Sequence, residues 1–204
     1  MGRTTTPGRP VASIPVEAQC GATGDPGKRG GAGERFRAKI MPPPLLIDLD
    51  QADLTKVEYT REYIYARMPH KFEFELVHGV HLLDRSGGMA VGFHDCQPDD
   101  WWARGHVPGM PIFPGVLQLE ASAQLVAFMT RYVDGFGRFI AFGGVENCRF
   151  RELVRPPARY LLVAKIVENR VRRITADTQG IVDGRLVCEA RIIGMAVPER
   201  EDQT

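Results

Sequence analysis

The stretch from Gly105 to Gln124 constrains the fold of this chain more than any other. Residues 105–114 carry three prolines and two glycines, which predicts an ordered, kinked loop. From Gly115 to about Tyr132 the sequence is apolar and contains no proline or internal glycine, which predicts a long buried helix. A chain of 204 residues, 44% of them hydrophobic, can cover one such helix with a single core.

The first turn of this predicted helix offers a place for an oxyanion. Pro114 suits a first-turn position, and Gly115 lets a ligand or another backbone approach closely. The free N–H groups of residues 115 to 117 point out of the helix start, with the positive end of the helix dipole behind them. Such N–H groups stabilise a polarised carbonyl or an oxyanion.

Two ionisable groups flank this helix start, His106 in the loop and Glu120 about one and a half turns into the helix. Glu120 shares a helix face with Val116, Ala123 and Gln124. A carboxyl in such an apolar segment is costly unless it has a partner or a task, and burial is expected to raise its pKa. Each residue also has a structural interpretation, His106 as a loop residue and Glu120 as the partner of an arginine.

The residues from 106 to 124 follow the pattern H-x-P-G-x-P-x-x-P-G-V-L-x-x-E-A-x-A-Q. This pattern resembles the signature of the β-hydroxyacyl-acyl carrier protein dehydratases of the FabZ/FabA type. Residues 68–72 (M-P-H-K-F) resemble the L-P-H-R-Y segment of that family, and residues 148–156 resemble its K-F-R-x-x-V-x-P turn. The resemblance covers roughly residues 60–197 and favours a catalytic interpretation of His106 and Glu120.

The resemblance implies an α+β hotdog fold, a curved antiparallel β-sheet wrapped around one long central helix. Period-two alternation of apolar and polar residues independently predicts strands on both sides of the helix. These strands are expected at Phe72 to Leu82, Met89 to His94, Phe139 to Phe142, Arg159 to Glu168, Val171 to Gln179, and Arg185 to Val197. Turns are expected at residues 84–88, 155–157, 168–170 and 183–184, and Asp134–Gly137 is expected to end the helix.

The implied activity is the dehydration of (3R)-hydroxyacyl-acyl carrier protein to the trans-2-enoyl product in fatty acid biosynthesis. By this resemblance His106 is the base at the α carbon, and Glu120 is the acid at the β-hydroxyl. Pro114, Gly115 and Val116 would bind the substrate, with the N–H of Gly115 on the thioester oxygen. The resemblance requires no metal and no cofactor, and Glu rather than Asp as the acid favours a dehydratase without isomerase activity.

Two alternatives remain at this point, a hotdog acyl thioesterase and a non-catalytic acyl-binding homologue. Detection of an enoyl product rather than a free thiol separates the dehydratase from the thioesterase. Two departures from the family pattern lie near the site: Val107 stands where the family usually has Phe, and Ala103 where it has an aromatic residue. The indoles of Trp101 and Trp102 are candidates to compensate for both changes.

The implied partner is acyl carrier protein with its acyl-phosphopantetheine, an acidic protein. A basic landing surface is expected from Arg149, Arg151 and Arg155, with further arginines at 131, 138 and 159. The alternative is an ordinary set of solvated arginines. In relatives, the His and the acidic residue of one site come from different subunits. The resemblance therefore implies a homodimer with two tunnels at its interface, and a hexamer built as a trimer of dimers.

Composition excludes several other classes of protein. A formal net charge of +1 argues against a dedicated nucleic-acid binder. Four widely spaced cysteines without a C-x-x-C pair indicate reduced thiols in the cytoplasm rather than a disulfide frame or a zinc site. The longest apolar run, residues 112–129, contains Gln118, Glu120 and Gln124, which indicates a buried helix and no membrane span.

The domain boundaries follow from composition as well. Residues 1–40 are rich in Gly, Pro and Arg without hydrophobic periodicity, which predicts a disordered tail. Residues 41–198 are expected to form the hotdog domain, and 199–204 a short C-terminal tail. An alternative for the first segment is that the protein starts at Met41, where the first apolar pattern begins.

Overall fold

One long helix and a seven-stranded sheet dominate the computed structural model, which describes residues 43–133 and 139–197. Outside the described residues lie the predicted tails at 1–40 and 199–204, the predicted helix end at Asp134–Gly137, and Arg138. The helices are α1, Arg61–Tyr65, and α2, Gly115–Val133. The strands are β1, Tyr59–Thr60; β2, Gly79–Asp84; β3, Met89–Cys96; β4, Phe139–Phe150; β5, Ala158–Arg170; β6, Arg173–Val182; and β7, Arg185–Val197.

The strands lie in the order β1-β2-β3-β5-β6-β7-β4, and every neighbouring pair is antiparallel. Helix α2 packs against strands β3 to β7, so the sheet covers it from several sides. The predicted α+β hotdog architecture is therefore confirmed. Within the described residues, no helix is both long and apolar enough to cross a membrane.

Helix α2 buries a stripe of side chains at three- and four-residue spacing. Ala121, Leu125 and Phe128 are completely buried against the concave face of the sheet. The opposite face is not covered, since Val116 is 73% exposed and Ala123 and Ala127 are only half-buried. The prediction of a buried helix therefore holds for the face towards the sheet, whereas the face with Val116, Ala123 and Ala127 lies outside the core.

The outer face of the sheet has a second, smaller core. Its strand residues include Val91 and Phe93, and the segment 43–54 covers them with apolar residues such as Ile47. The buried side chain of Gln179 fixes this segment: its Oε1 accepts from the N–H of Leu46 at 2.8 Å, and its Nε2 donates to the carbonyl of residue 44 at 3.1 Å. Both faces of the central strands are thus buried.

The predicted strand from Phe72 to Leu82 is wrong in its first half. Residues Phe72–Phe74 form a 3₁₀ turn, Phe72 has a φ of +58°, and the strand begins only at Gly79. The cause is a set of side-chain hydrogen bonds to this backbone. Gln124 accepts from the N–H of Leu76 and donates to the carbonyl of residue 74, and the Tyr65 hydroxyl accepts from residue 77. These bonds replace the sheet pairing that the alternating sequence suggested.

Several other strand ends also differ from the prediction, and for two strands the pairing gives the reason. Strand β4 continues past Phe142 to Phe150, because β7 pairs with it across two register shifts. Strand β6 begins at Arg173 rather than Val171, because β5 extends to Arg170 and pairs with Arg173 across the hairpin. The turn predicted at residues 168–170 therefore lies at 171–172.

A buried aromatic stack holds the loop that precedes α2. The ring of Phe113 is fully buried and stacks on His94 at 4.7 Å between centroids, with Trp102 and Tyr160 at 5.5 and 5.6 Å. The N–H of Phe113 donates to the carbonyl of Val154 at 2.8 Å. The residue just before Pro114 is therefore fixed, and with it the start of the helix.

His94 in turn packs against His78, with ring centroids 4.3 Å apart. Nδ1 of His94 donates to the carbonyl of Leu76, and Nδ1 of His78 accepts from the N–H of Asp95. Burial, and after it the neighbouring His94, lower the pKa of His78 to about 4, and burial also lowers the pKa of His94. Both rings are therefore neutral at pH 7.

We expect Gln179→Met to destabilise the protein by about 1–3 kcal/mol, because the variant removes the two hydrogen bonds that the buried amide makes to the N–H of Leu46 and the carbonyl of Pro44. Urea unfolding measures this loss. The matched control is Gln51→Met in the same N-terminal segment, where the side chain is exposed and the change should cost less than about 0.5 kcal/mol. Equal losses in the two variants would contradict the assigned role of Gln179.

We expect the free energy of unfolding to be lower at pH 5 than at pH 7, and protonation of His78 in the unfolded state should account for part of the difference. The unfolded state takes up a proton near pH 6.5 and the folded state only near pH 4, so in this window protons favour the unfolded state. His78→Asn keeps an acceptor for the N–H of Asp95 and does not titrate. Between pH 7 and pH 5, the free energy of unfolding of the wild type, measured with urea, should fall by about 1–2 kcal/mol more than that of the variant. Parallel pH profiles of the two proteins would refute the lowered pKa of His78.

Candidate active site

His106 lies in the loop with its tautomer fixed. Its Nδ1 is 2.8 Å from the carbonyl oxygen of Ile112, and because a carbonyl only accepts, Nδ1 carries the proton. Nε2 is therefore the ring atom with a free lone pair. The N–H of His106 donates to the carbonyl of Trp102 at 2.9 Å, which ties the loop down on its other side. The imidazole is exposed in the single chain.

The loop after His106 presents apolar side chains to the outside. Val107 has a φ of +60°, a backbone conformation that β-branched residues rarely adopt, and Gly109 has a φ of +84°. Val107 is 39% exposed and Met110 47% exposed. A strained backbone that displays apolar groups beside a titratable ring is typical of a functional loop.

The helix start carries free backbone donors at two of the three predicted residues, and the prediction is wrong for Leu117. The N–H groups of Leu117 and Gln118 both donate to the carbonyl of Pro114. Among the described residues, no acceptor reaches the N–H of Gly115 or of Val116. The ring of Phe150 lies over Gly115, where an added Cβ would stand 2.7 Å from its Cζ and would displace the ring. The free donors and the aromatic ring together form one wall of the site.

Glu120 lies further along α2 and is partly buried. Its Oε1 accepts from Nε2 of Gln124 at 2.8 Å and lies 3.4 Å from Nε2 of His70. The His70 side chain lowers the pKa of Glu120, and although burial pushes the pKa up, Gln124 adds to the lowering. The expectation of a raised pKa is therefore wrong for the single chain, because two donors outweigh the loss of water.

The Gln124 side chain uses its whole hydrogen-bonding capacity. Its Oε1 accepts from the Tyr65 hydroxyl at 2.6 Å and from the N–H of Leu76 at 3.2 Å. Its Nε2 donates to the carbonyl of Phe74 at 2.9 Å and to Glu120. The partners leave only one orientation for the amide, since the Leu76 N–H can only donate and the Phe74 carbonyl can only accept.

A cavity of about 160 Å³ opens beside Glu120, between α2, β4 and β7. Its lining is apolar apart from Glu120, His70 and Gln124. The other lining residues include Ala123, Ala127, Ile140, Phe142, Ile192 and Gly194. Small side chains on the helix leave this space open, and a cavity with these walls suits an alkyl chain.

Within one chain, the structure does not bring His106 and Glu120 into contact. No hydrogen bond or ion pair joins these two residues, although both lie in the part of the chain that the structure describes. In residues 43–133 and 139–197, no three His, Cys, Asp or Glu side chains come together to hold a metal ion.

The arginines of the expected landing surface divide into two groups. Arg151 forms an ion pair with Glu189, and Arg159 forms a two-pronged pair with Asp95. Arg149 and Arg155 are exposed, and neither has a hydrogen bond or ion pair to the described residues. Their donors are therefore free for a partner as far as the described residues show.

Three residues that contact the site were not predicted from the sequence to have a role there. His70 and Gln124 contact Glu120, and Phe150 covers Gly115. All three lie in segments that carry the family resemblance. Helical spacing alone placed Gln124 on the face of Glu120, whereas no sequence spacing relates His70 or Phe150 to α2.

Known proteins with similar sequences identify the family of this chain. Residues 68–191 match the family of FabA-like domains. A protein named 3-hydroxyacyl-[acyl-carrier-protein] dehydratase FabZ from Geobacillus sp. strain WCH70 is 36% identical over 135 residues, which cover 65% of this chain and 91% of that protein. The protein of the same name from Syntrophobacter fumaroxidans is 36% identical over 143 residues, which cover 68% of this chain and 96% of that protein.

Solved structures share the fold at low sequence identity. The dehydratase heterocomplex ApeI:P from Xenorhabdus doucetiae matches with a TM-score of 0.56 and 12% identity, over 67% of this chain and 91% of that one. A mutant of thioesterase PA1618 from Pseudomonas aeruginosa matches with a TM-score of 0.53 and 16% identity, over 76% of this chain and 97% of that one. The fold is thus shared by proteins that are named for two different activities. The sequence match over residues 68–191 is specific to one family, and the chain therefore belongs to the FabA-like family.

Proposed function

We propose that this protein dehydrates 3-hydroxyacyl groups carried by acyl carrier protein, in fatty acid biosynthesis. The observation that supports this most is the setting of Glu120 at the edge of an apolar cavity, where its Oε2 has no donor among the described residues. The FabZ proteins that the chain resembles carry this activity in their name. His106 and the free N–H groups at the helix start supply the other groups that the reaction needs.

The reaction follows from these groups. Nε2 of His106 takes the α proton, and the electron pair moves towards the thioester carbonyl. The N–H groups of Gly115 and Val116 stabilise the oxygen as negative charge builds up there, with Pro114 shaping the turn beside them. Glu120 gives a proton to the β-hydroxyl, the C–O bond breaks, and water leaves as the double bond forms. The proton held by His106 then passes to solvent, and Glu120 is protonated again.

The complete site is built from two copies of the chain in this proposal. His106 and Glu120 do not meet within one chain, and Val107 and Met110 present apolar side chains beside His106. Strand β4 ends the sheet, and its exposed Phe142 and Phe150 make it an edge on which a second copy can pair. The loop of that copy would cover Glu120, add to its desolvation and so favour its acid form.

We expect His106→Ala and Glu120→Gln to lose at least about 100-fold in kcat, because each removes one of the two proton-transfer groups. The assay follows enoyl absorbance on a 3-hydroxyacyl thioester and, separately, the release of free thiol. Formation of thiol without enoyl product would favour the thioesterase alternative. Wild-type dehydration by either variant, with its fold confirmed by circular dichroism, would contradict the assigned roles.

Mixing the two inactive variants tests the two-copy site directly. In a mixed dimer, one site combines the intact His106 of one chain with the intact Glu120 of the other. Random reassembly should therefore restore about a quarter of wild-type activity. No recovery from a mixture that demonstrably exchanges subunits would place both groups in one chain.

For the carrier protein, we expect charge reversal at Arg149 and Arg155 to weaken docking. The double change to Glu should raise KM for the carrier-linked substrate about tenfold, because the acidic carrier protein binds the basic surface. KM for a short thioester analogue should stay unchanged, because the analogue does not contact that surface. The control is Arg172→Glu, in the turn between β5 and β6. An equal change for both substrates would refute docking at these arginines.

A further inference from the structure

His70 follows α1 in the chain and approaches Glu120 from outside helix α2. The two residues are fifty positions apart in the sequence, yet Nε2 of His70 lies 3.4 Å from Oε1 of Glu120. Nearby, Nζ of Lys71 donates to the carbonyl of Tyr65 at 2.6 Å, which fixes the backbone beside His70. The imidazole is thus held at the carboxyl by its own segment, and it lines the same cavity.

The two oxygens of Glu120 have different surroundings. Oε1 faces both His70 and the amide of Gln124. No donor among the described residues reaches Oε2. One oxygen is therefore held by two groups, and the other is left for a ligand.

The tautomer of His70 is consistent with this contact. Its Nδ1 is buried and has no hydrogen-bond partner among the described residues. An unpartnered lone pair in such a place costs less than an unpartnered N–H. The proton of the neutral ring therefore belongs on Nε2, the atom that faces Glu120.

Among the described residues, few other charged groups act on this pair. The lining that β4 and β7 give the cavity contains no ionisable side chain. From α1, Tyr65 reaches the pair only through Gln124, and burial raises the pKa of its hydroxyl, so it stays neutral. The charge on Glu120 is therefore controlled chiefly by His70.

We propose that His70 is a positioning residue for Glu120, and that with Gln124 it holds Oε1 so that Oε2 faces the substrate hydroxyl. This inference rests on the proposed function, in which Glu120 is the acid. His70 also opposes protonation of Glu120, so it determines the pH at which the carboxyl can donate.

Three substitutions separate the possible roles of His70. His70→Phe keeps a ring of similar volume and removes the donor. His70→Gln keeps an N–H at about the reach of Nε2. His70→Asn has a shorter amide that cannot reach Oε1, so it carries the test if the Phe variant does not fold.

The deciding measurement is a pH titration of the Glu120 side-chain carboxyl by ¹³C NMR, with its signal assigned from its loss in Glu120→Gln. We expect the pKa of Glu120 to rise in His70→Phe and His70→Asn and to stay close to the wild-type value in His70→Gln. In the dehydration assay, the Phe and Asn variants should lose about 10- to 100-fold in kcat with little change in KM. The part of the pH–rate profile that reports Glu120 should move to higher pH, and the Gln variant should retain most activity.

An unchanged Glu120 titration in a folded Phe or Asn variant would overturn the inference, whether or not the protein is a dehydratase. Loss of kcat with an unchanged pH–rate profile would also overturn it, since it would indicate a structural role only. A wild-type protein that forms no enoyl product but shows the expected titration differences would refute the proposed function and leave the link between His70 and Glu120 intact.

Discussion

The hydrogen bonds of one buried amide, that of Gln124, connect the parts on which the structure depends. Gln124 bonds to the carboxyl of Glu120 on its own helix, to the Tyr65 hydroxyl, and to two backbone groups of the segment before β2. Burying a polar side chain is costly unless its partners are all present. The amide therefore fixes how helix α2, helix α1 and the intervening turn fit together, and it sets the position of the carboxyl at the same time.

The electrostatics of Glu120 show how the site balances opposing effects. Burial raises the pKa of a carboxyl, and donors to its oxygens lower it. In the single chain the donors dominate, because His70 and Gln124 both face Oε1. An acid at this position needs more desolvation than one chain provides, and the exposed loop of His106 is the surface that a second copy would bring. The pKa of the carboxyl and the assembly of the protein are thus coupled in the proposed mechanism.

The fold alone does not distinguish the activities that use it. A dehydratase complex and a thioesterase share this architecture at similar structural likeness. The distinction lies in the side chains near the helix start: a dehydratase needs a base for the α proton and an acid for the hydroxyl, whereas hydrolysis needs an activated water. His106 with a free Nε2 and Glu120 with a free Oε2 fit the first requirement.

The sequence by itself determined the central helix, the kinked loop and the identities of His106, Glu120 and Gly115, because proline, glycine and apolar spacing act over a few residues. Tertiary structure alone decided that residues 72–74 leave the strand, that segment 43–54 covers the outer sheet face, and that His70 meets Glu120. It also decided the direction of the Glu120 pKa shift, which follows from neighbours far away in the chain. These features depend on contacts between distant segments, and no local pattern of residue types records which backbone groups or charges such contacts will bring together.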